Sequence, residues 1–350
     1  MTELTQEHPS KSESFSRFFF INPVGELSYV PSITDAIKAA QNGGYLWLDY
    51  CDPTKDDLEP LISLFNIHPL SIEDCLNEEQ LPKLDLFPNY SFMVFNVFET
   101  SPDGVLAHEL NLAIGENFVI SLTHRDSDNR PFMQGMERLV ERETQKVRSG
   151  PSFLLHLLID TVVDRKFLAI DRIETRLDGD EAEILKDSPD YDLSRLLDSR
   201  RDLMTIRKSV FYEREVLSKL IRQDSPFIAE KSLYFYRDVY DHLSRYYEIS
   251  ETARDQVTSL MEIHLSLVNN GMAATSNRTN AIMRRLTLIS SIFMPLTLIS
   301  GIGGMSEFTM MVGQENWKIG YIVLLVLMVV VAIINFLLLR RMEGKLTEND

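Results

Sequence analysis

Thiol chemistry is nearly excluded at the outset, because 350 residues contain only two cysteines, Cys51 and Cys75. That pair can build neither a disulfide scaffold nor a thiolate zinc cluster. Positive charge is also scarce: 35 Lys and Arg face 52 Asp and Glu, leaving a net charge of −17. Nucleic acid is a poor partner for such a chain, since phosphate binding needs a basic stripe, whereas divalent cations suit it. Neither a P-loop nor an H-E-x-x-H segment occurs, so the chain is not expected to be an enzyme. The opening MTELTQEHPSKSESFSR has no apolar core, and residues 1–15 are expected to form a flexible arm rather than a targeting segment.

What is present is uneven. Residues 285–350 hold five basic and five acidic side chains, so residues 1–284 carry the whole negative excess. Leu286–Ser306 and Ile319–Leu339 are long uncharged runs. About 20 apolar residues span a hydrocarbon core roughly 30 Å thick, so both are expected to cross a membrane. Arg284 and Arg285 precede the first run, and Arg340, Arg341 and Lys345 follow the second. An excess of cations on the cytoplasmic side then puts both termini in the cytoplasm and the short loop 307–318 outside. Trp317 and Tyr321 stand where an interfacial aromatic belt would hold the second span.

Residues 16–130 mix strand and helix signals and are expected to form an α+β domain. Arg17–Asn22, Tyr45–Asp49, Tyr90–Phe98 and Phe118–Leu122 are β-branched and aromatic runs next to turn residues. Ser32–Gln41 and Asp57–Asn66 read as helices, with Pro60 in the first turn of the latter. Residues 131–232 are helical in texture, through Pro151–Leu177 and Ser194–Arg222, with breaks at Pro189 and Pro226. Asp178-Gly179-Asp180-Glu181 reads as a solvated acidic turn or as a fragment of a calcium loop. From Leu233 to Met305 one helix of about 110 Å is expected, a stalk over 233–285 continuing into a first span over 286–306. Asn269-Asn270-Gly271 is its expected bend. A rod of this kind needs helical partners to cover its faces, so oligomerisation is expected.

Two spans per chain cannot enclose a path for an ion. On the first span, Asn280, Met283, Leu286, Ser290, Met294, Thr297 and Gly301 share one helical face, alternating polar, small and flexible apolar groups. That face would either line a path through an oligomer or mediate helix packing. Leu288, Ile289, Ile292, Phe293, Leu296 and Ile299 suit lipid or neighbouring helices. Gly303-Gly304-Met305-Ser306-Glu307 would be a glycine C-cap or a ring of hydroxyls and carboxylates at a pore mouth.

The stretch from Leu286 to Met305, LTLISSIFMPLTLISGIGGM, resembles the first membrane helix of the CorA family of divalent-cation transporters. Trp317, Gly320 and Tyr321 match the start of that family's second helix. HPLSIEDCLNEEQLPKLDLFPNYSFMVF, from His68 to Phe95, resembles its H-P-L-x-x-E-D segment and the following P-K and Tyr-led strand. Phe235, Arg237, Asp238, Val239, Asp241 and His242 resemble its F-x-R-D-V-x-D-H segment. The resemblance implies a funnel-shaped homopentamer with an α+β cytoplasmic domain, a long stalk helix, a pore-lining first span and a lipid-facing second span. It implies inward movement of Mg²⁺, with Co²⁺ or Ni²⁺ as further cargo, through the inner (plasma) membrane and down the membrane potential.

Several residues take their expected roles from the resemblance. Gly304, Met305, Ser306 and Glu307 would form the selective mouth, with Thr297, Gly301 and Asn280 as polar steps and Met283, Leu286 and Met294 as an apolar gate. Ser306 replaces the family's Asn, a shorter group with one donor, and an acid precedes Phe308 instead of following it. Asn269–Thr275 is an insertion relative to the family, close to two helical turns. Asp74 and Glu262 would be a cytoplasmic regulatory cation pair, or else ordinary surface acids. The variant mouth admits a zinc-type transporter of the same superfamily as one alternative, and a non-conducting cation sensor or membrane scaffold as another.

Overall fold

A computed structural model describes residues 14–41, 43–77, 80–101, 104–186, 191–305, 310, 313 and 317–346, with side chains to 338. The chain divides into two compact units, Met1–Ile263 and His264–Asp350.

The first unit is built on seven strands: β1 (Phe15–Ile21), β2 (Leu27–Val30), β3 (Tyr45–Cys51), β4 (Leu84–Leu86), β5 (Tyr90–Ser101), β6 (Gly104–Gly115) and β7 (Phe118–Thr123). They form one sheet in the order β2-β1-β3-β7-β6-β5-β4. Only β3 and β7 pair in parallel, Leu48 opposite Ile120, and both strands are buried along their full lengths. Burial on both faces removes the polar alternation of a half-exposed strand. Helices α1 (Ile33–Ala40), α2 (Lys55–Phe65) and α3 (Pro69–Leu76) cover one face. Their Ala36, Leu58, Leu61 and Ile72 close over Leu46, Leu48, Phe92, Val94, Ile120 and Leu122. The opposite face carries Trp47, whose indole donates to Ser121 Oγ at 3.0 Å, and Ser121 donates to Asp49 at 2.7 Å. Arg17 then neutralises Asp49 at 2.7 Å.

The four strands expected from sequence are present, each with slightly different ends. The long strand β6 was not expected; it pairs with β5 from Tyr90–Gly115 to Ser101–Gly104. Helix α2 begins at Lys55 behind a Thr54–Asp57 capping box, so Pro60 lies in its interior and not in its first turn. Pro60 has no N–H to give the Asp56 carbonyl, so that helical hydrogen bond is absent.

Beyond the sheet come α4 (Met136–Arg142), α5 (Thr144–Val147), α6 (Pro151–Ile184), α7 (Ser194–Ile221) and α8 (Leu233–Gly303). Both readings of Asp178–Glu181 are corrected: α6 runs straight through it. Asp180 is fully buried and meets Arg195 at 2.5 Å, and burial pushes its carboxyl above the ordinary range. Between α6 and α7, Lys166 and Glu213 pair at 3.0 Å with both side chains wholly out of water. Asn96 N–H donates to Glu213 at 2.9 Å, and Lys166 lies 4.6 Å from the Phe98 ring centre. Pro226 does fall in the break after α7; Pro189 lies outside the described residues.

Helix α8 also runs unbroken through Asn269–Gly271, where a bend was expected. Its buried residues are Tyr236, Val239, Leu243, Tyr246, Ser250, Ala253, Val257 and Leu260. These follow strict steps of three and four, the seam of one helix packed lengthwise on others. The seam stops at Leu260, within the first unit.

In the second unit, the last part of α8 is followed by α9 (Trp317–Leu346). Both are long and apolar enough to cross a membrane, and their apolar windows are not buried by the chain itself. The expected second span, 319–339, lies inside α9.

Candidate functional site

Partial burial separates the faces of the first span. Leu288, Ser291, Ile292, Pro295, Leu296, Ile299 and Gly303 are half-buried. On α9 the half-buried positions are Gly320, Leu324, Met328, Val331, Ala332 and Asn335, again in steps of three and four. A Cβ added at Gly303 would lie 2.7 Å from Leu324 Cδ2, so the two helices close up where glycine permits. This corrects the expected left-handed cap: neither Gly303 nor Gly304 has a positive φ. The helix ends instead with Gly304 N–H donating to Ser300 O at 3.0 Å and Met305 N–H to Ile302 O at 3.2 Å.

On a helix of 3.6 residues per turn, the exposed face Met283, Leu286, Ser290, Met294, Thr297 and Gly301 points away from that packed stripe. Ser290, Met294, Thr297, Gly301 and Met305 line one open groove of about 790 Å³, together with Phe293, Leu298 and Ile302. Phe293 therefore belongs to this groove, though sequence had put it on another face. The Thr297 hydroxyl donates to Phe293 O at 2.8 Å, so its oxygen lone pairs are free to accept from the groove. Asn280 is exposed one turn before Met283. Ser306 and Glu307 lie outside the described residues.

The first unit explains the family-like segment that begins at His68. His68 caps α3, its Nδ1 accepting from Leu70 N at 3.2 Å, and Pro69 follows at the first helical position. Tyr90 OH accepts from His68 N at 3.0 Å and meets Ser71 Oγ at 2.8 Å, while its ring stacks on Phe87 at 4.6 Å. This scaffold presents Asp74, whose two oxygens take Lys83 Nζ at 2.6 Å and Gln80 Nε2 at 2.9 Å. Glu262 stands exposed on α8.

A different acidic group is the only described set of three residues that could hold a metal ion. Asp160 and Asp164 on α6 and His242 on α8 bring one ligand atom each within 4.8 Å of one another. His242 Nδ1 is buried and has no hydrogen-bond partner among the described residues, as expected of an atom kept for a ligand. Burial above all, then repulsion from Asp164 and, more weakly, Asp238, outweigh the opposing effect of His242 and push Asp160 up to about 6. Asp164 is also raised, again first by burial. Two carboxylates and an imidazole together suit Co²⁺, Ni²⁺ or Zn²⁺, whereas Mg²⁺ would take only the two carboxylates and retained waters. Sequence reasoning singled out His242 but not this use of it. The available signal was Asp160 and Asp164 at i and i+4, a like-charge helical pair that is unfavourable unless something neutralises it.

The family described as CorA-like Mg²⁺ transporter protein matches residues 42–341. A cobalt/magnesium transport protein CorA from Thermotoga maritima is 35% identical over 281 residues, covering 80% of this chain and 77% of that protein. A putative metal ion transporter, YfjQ, from Bacillus subtilis is 30% identical over 83% of this chain and 86% of its own length. Among solved structures, the complete CorA magnesium transporter from Methanocaldococcus jannaschii superposes with a TM-score of 0.67 at 22% identity. That alignment covers 93% of this chain and 97% of the other, and it places the two in one fold. With four sequence segments, a matched fold and these relatives in agreement, the chain belongs to the CorA-like Mg²⁺ transporter family.

Proposed function

We propose that this chain moves divalent cations across a membrane, with Mg²⁺ as main cargo and Co²⁺ or Ni²⁺ as further cargo, through a path shared by several copies. The observation that carries the reading is the orientation of the first span. Its packing with α9 uses Leu288, Pro295, Ile299 and Gly303, which leaves the face with Ser290, Thr297 and Gly301 for other copies of itself. A hydrated cation offers water hydrogens, and Thr297 presents an oxygen that can accept them. Met283, Leu286 and Met294 on the same face would form apolar constrictions that close by dewetting. Ser306 and Glu307 would draw the hydrated ion to the mouth, with Gly304 and Met305 beside them. A homopentamer is the assembly that the family implies.

Cations at 284–285 and 340–345 favour cytoplasmic termini in a bacterial-type inner membrane. An inside-negative potential then drives entry, about 4.6 kcal/mol for a divalent ion crossing 100 mV. Residues 16–130, 131–232 and 233–285 would serve as the cytoplasmic α+β domain, its helical extension and the stalk. The Asp160–Asp164–His242 group would bind a cytoplasmic regulatory cation. Asp74 could join such regulation only by exchanging Lys83 for the cation, and Glu262 by supplying an exposed carboxylate.

Purified protein in proteoliposomes, supplied with Mg²⁺, Co²⁺, Ni²⁺ or Zn²⁺, tests this reading. Mg²⁺ uptake that rises with an inside-negative potential is expected. Zn²⁺ uptake without Mg²⁺ uptake would move the chain to the zinc-type alternative. Flux of no ion, from folded oligomers, would leave a sensor or scaffold. Within the same assay, Ser306→Ala should lower flux if the hydroxyl contacts hydrated ions.

A further inference from the structure

Helix α7 is an exception in a chain of net charge −17, with seven basic and four acidic side chains between Ser194 and Ile221. Its outer face and Tyr247 of α8 enclose an open groove of about 690 Å³ within the first unit. That volume is in the range of small-molecule sites. Large apolar groups stand in water there: Leu197, Met204 and Phe211, each two helical turns from the next, are about half exposed. Arg200, Arg201, Arg207 and Lys208 line the same groove.

The cations divide into two kinds. Arg207 is committed, forming an ion pair with Glu251 and lying 5.5 Å from the Tyr247 ring centre. Arg214 takes the same ring at 5.3 Å and also Tyr240 at 5.5 Å. Tyr247 is thereby held in place, with Phe211 at 6.4 Å between ring centres. Arg200 and Lys208, in contrast, are exposed and form no ion pair or side-chain hydrogen bond among the described residues. Arg201 reaches only its helical neighbour Asp198, an exposed contact of little strength.

We propose that this groove binds a nucleoside polyphosphate, its base against Phe211 and Tyr247 and its phosphates along Lys208, Arg201 and Arg200. The match is chemical. A planar base covers aromatic and thioether surface that otherwise meets water, and each base–aromatic stack is strong enough to matter. Guanidinium groups bind phosphate oxygens through paired hydrogen bonds, and an ammonium adds a point charge. A plain anion would leave Phe211 and Met204 uncovered, and a plain apolar ligand would leave Arg200 and Lys208 unanswered. The site has no carboxylate pair for Mg²⁺, so the free polyphosphate should bind more tightly than its Mg²⁺ complex, which carries two fewer negative charges. Binding of this kind would make the protein responsive to the main phosphate chelators of Mg²⁺, though the site stands independently of transport.

The test is calorimetric titration of the full-length protein in detergent with ATP, tripolyphosphate or adenosine, with and without Mg²⁺. Saturable ATP binding at sub-millimolar concentration is expected, weaker with Mg²⁺ present. Arg200→Glu combined with Lys208→Glu should weaken ATP and tripolyphosphate by about 10-fold or more. Phe211→Ala should weaken ATP by about 10-fold and leave tripolyphosphate nearly unchanged. All three side chains are exposed, and an unchanged melting temperature would show that the variants fold. The proposal is overturned if ATP does not saturate, if the charge-reversed variant binds like wild type, or if Phe211→Ala affects neither ligand. Tight binding of an oligoglutamate peptide without ATP binding would also overturn it and identify an acidic peptide as the occupant.

Discussion

The two units handle exposure in opposite ways. In the first, the chain builds its own core, in which even Lys166 and Glu213 are sealed from water, paired with each other. In the second, each helix hides only a narrow stripe and leaves Met283, Leu286, Phe293, Met294, Ile322 and Val323 more than half exposed. Apolar patches of that size do not persist in water. The first unit thus has a core of its own, whereas the apolar faces of the second suit lipid and, in the proposed assembly, other copies. The proposed functions follow the same division: the candidate cation group Asp160, Asp164 and His242 sits in the first unit, and the proposed path runs along a face of the second.

The largest effect should come from breaking the core of the first unit. Burial pushes Lys166 below its ordinary range and Glu213 above its own, so neither tolerates losing the other. Lys166→Met should destabilise this unit by about 3–5 kcal/mol, and adding Glu213→Leu should recover most of that loss. Chemical denaturation in detergent, followed by the fluorescence of the buried Trp47, measures both. A smaller effect is expected in the hairpin. Gly303→Leu would collide with Leu324 and cost about 1–3 kcal/mol, and Leu324→Ala should relieve it. Thermal unfolding of the hairpin in micelles, compared across the three proteins, would detect the rescue.

Smallest in free energy is the cation group. Asp160→Asn should weaken divalent-cation binding to the first unit by about 10-fold, or about 1.4 kcal/mol. Because the Asp160 carboxyl is raised to about 6, a cation must displace a proton at lower pH. Wild-type affinity should therefore be full above about pH 7 and fall through pH 6, and this dependence should flatten in Asp160→Asn. Without a cation the sign reverses for stability. The folded state holds its proton more tightly than the unfolded chain, so stability declines as pH rises from about 4 to 6. Calorimetry at pH 5, 6 and 7.5 separates these effects.

Much of this division was legible in the sequence. The two uncharged runs exposed the hairpin because soluble helices rarely avoid charge for so long. The polar face Ser290, Thr297, Gly301 was legible from helical spacing, but its freedom from packing was not. That depended on which stripe α9 occupies, a tertiary fact reported by Gly303 and Leu324. Strand β6 was missed because Ala107, His108, Glu109 and Asn111 give no strand signal; pairing with β5 decides its conformation. Acidic Asp178–Glu181 looked like a turn because its charges suggest solvent, whereas Asp180 is buried against Arg195 from the following helix. The three residues of the candidate cation group come from two helices, α6 and α8, that are far apart in sequence, and only the i, i+4 carboxylates were visible beforehand. His68, Pro69 and Tyr90 could be matched as a motif, but their work in fixing α3 is a matter of hydrogen-bond geometry.

The central claim is that cations pass along the open face of the first span while α9 faces lipid. Potential-driven Mg²⁺ uptake into proteoliposomes should be compared for wild type, Gly301→Phe and Val323→Phe, with equal amounts of folded protein reconstituted. The ring added at position 301 enters the groove that holds Thr297 and Met294, and the ring at 323 extends from an exposed position on α9. Uptake reduced at least about 10-fold by Gly301→Phe and kept by Val323→Phe is the predicted result. Equal uptake by all three proteins would contradict the account.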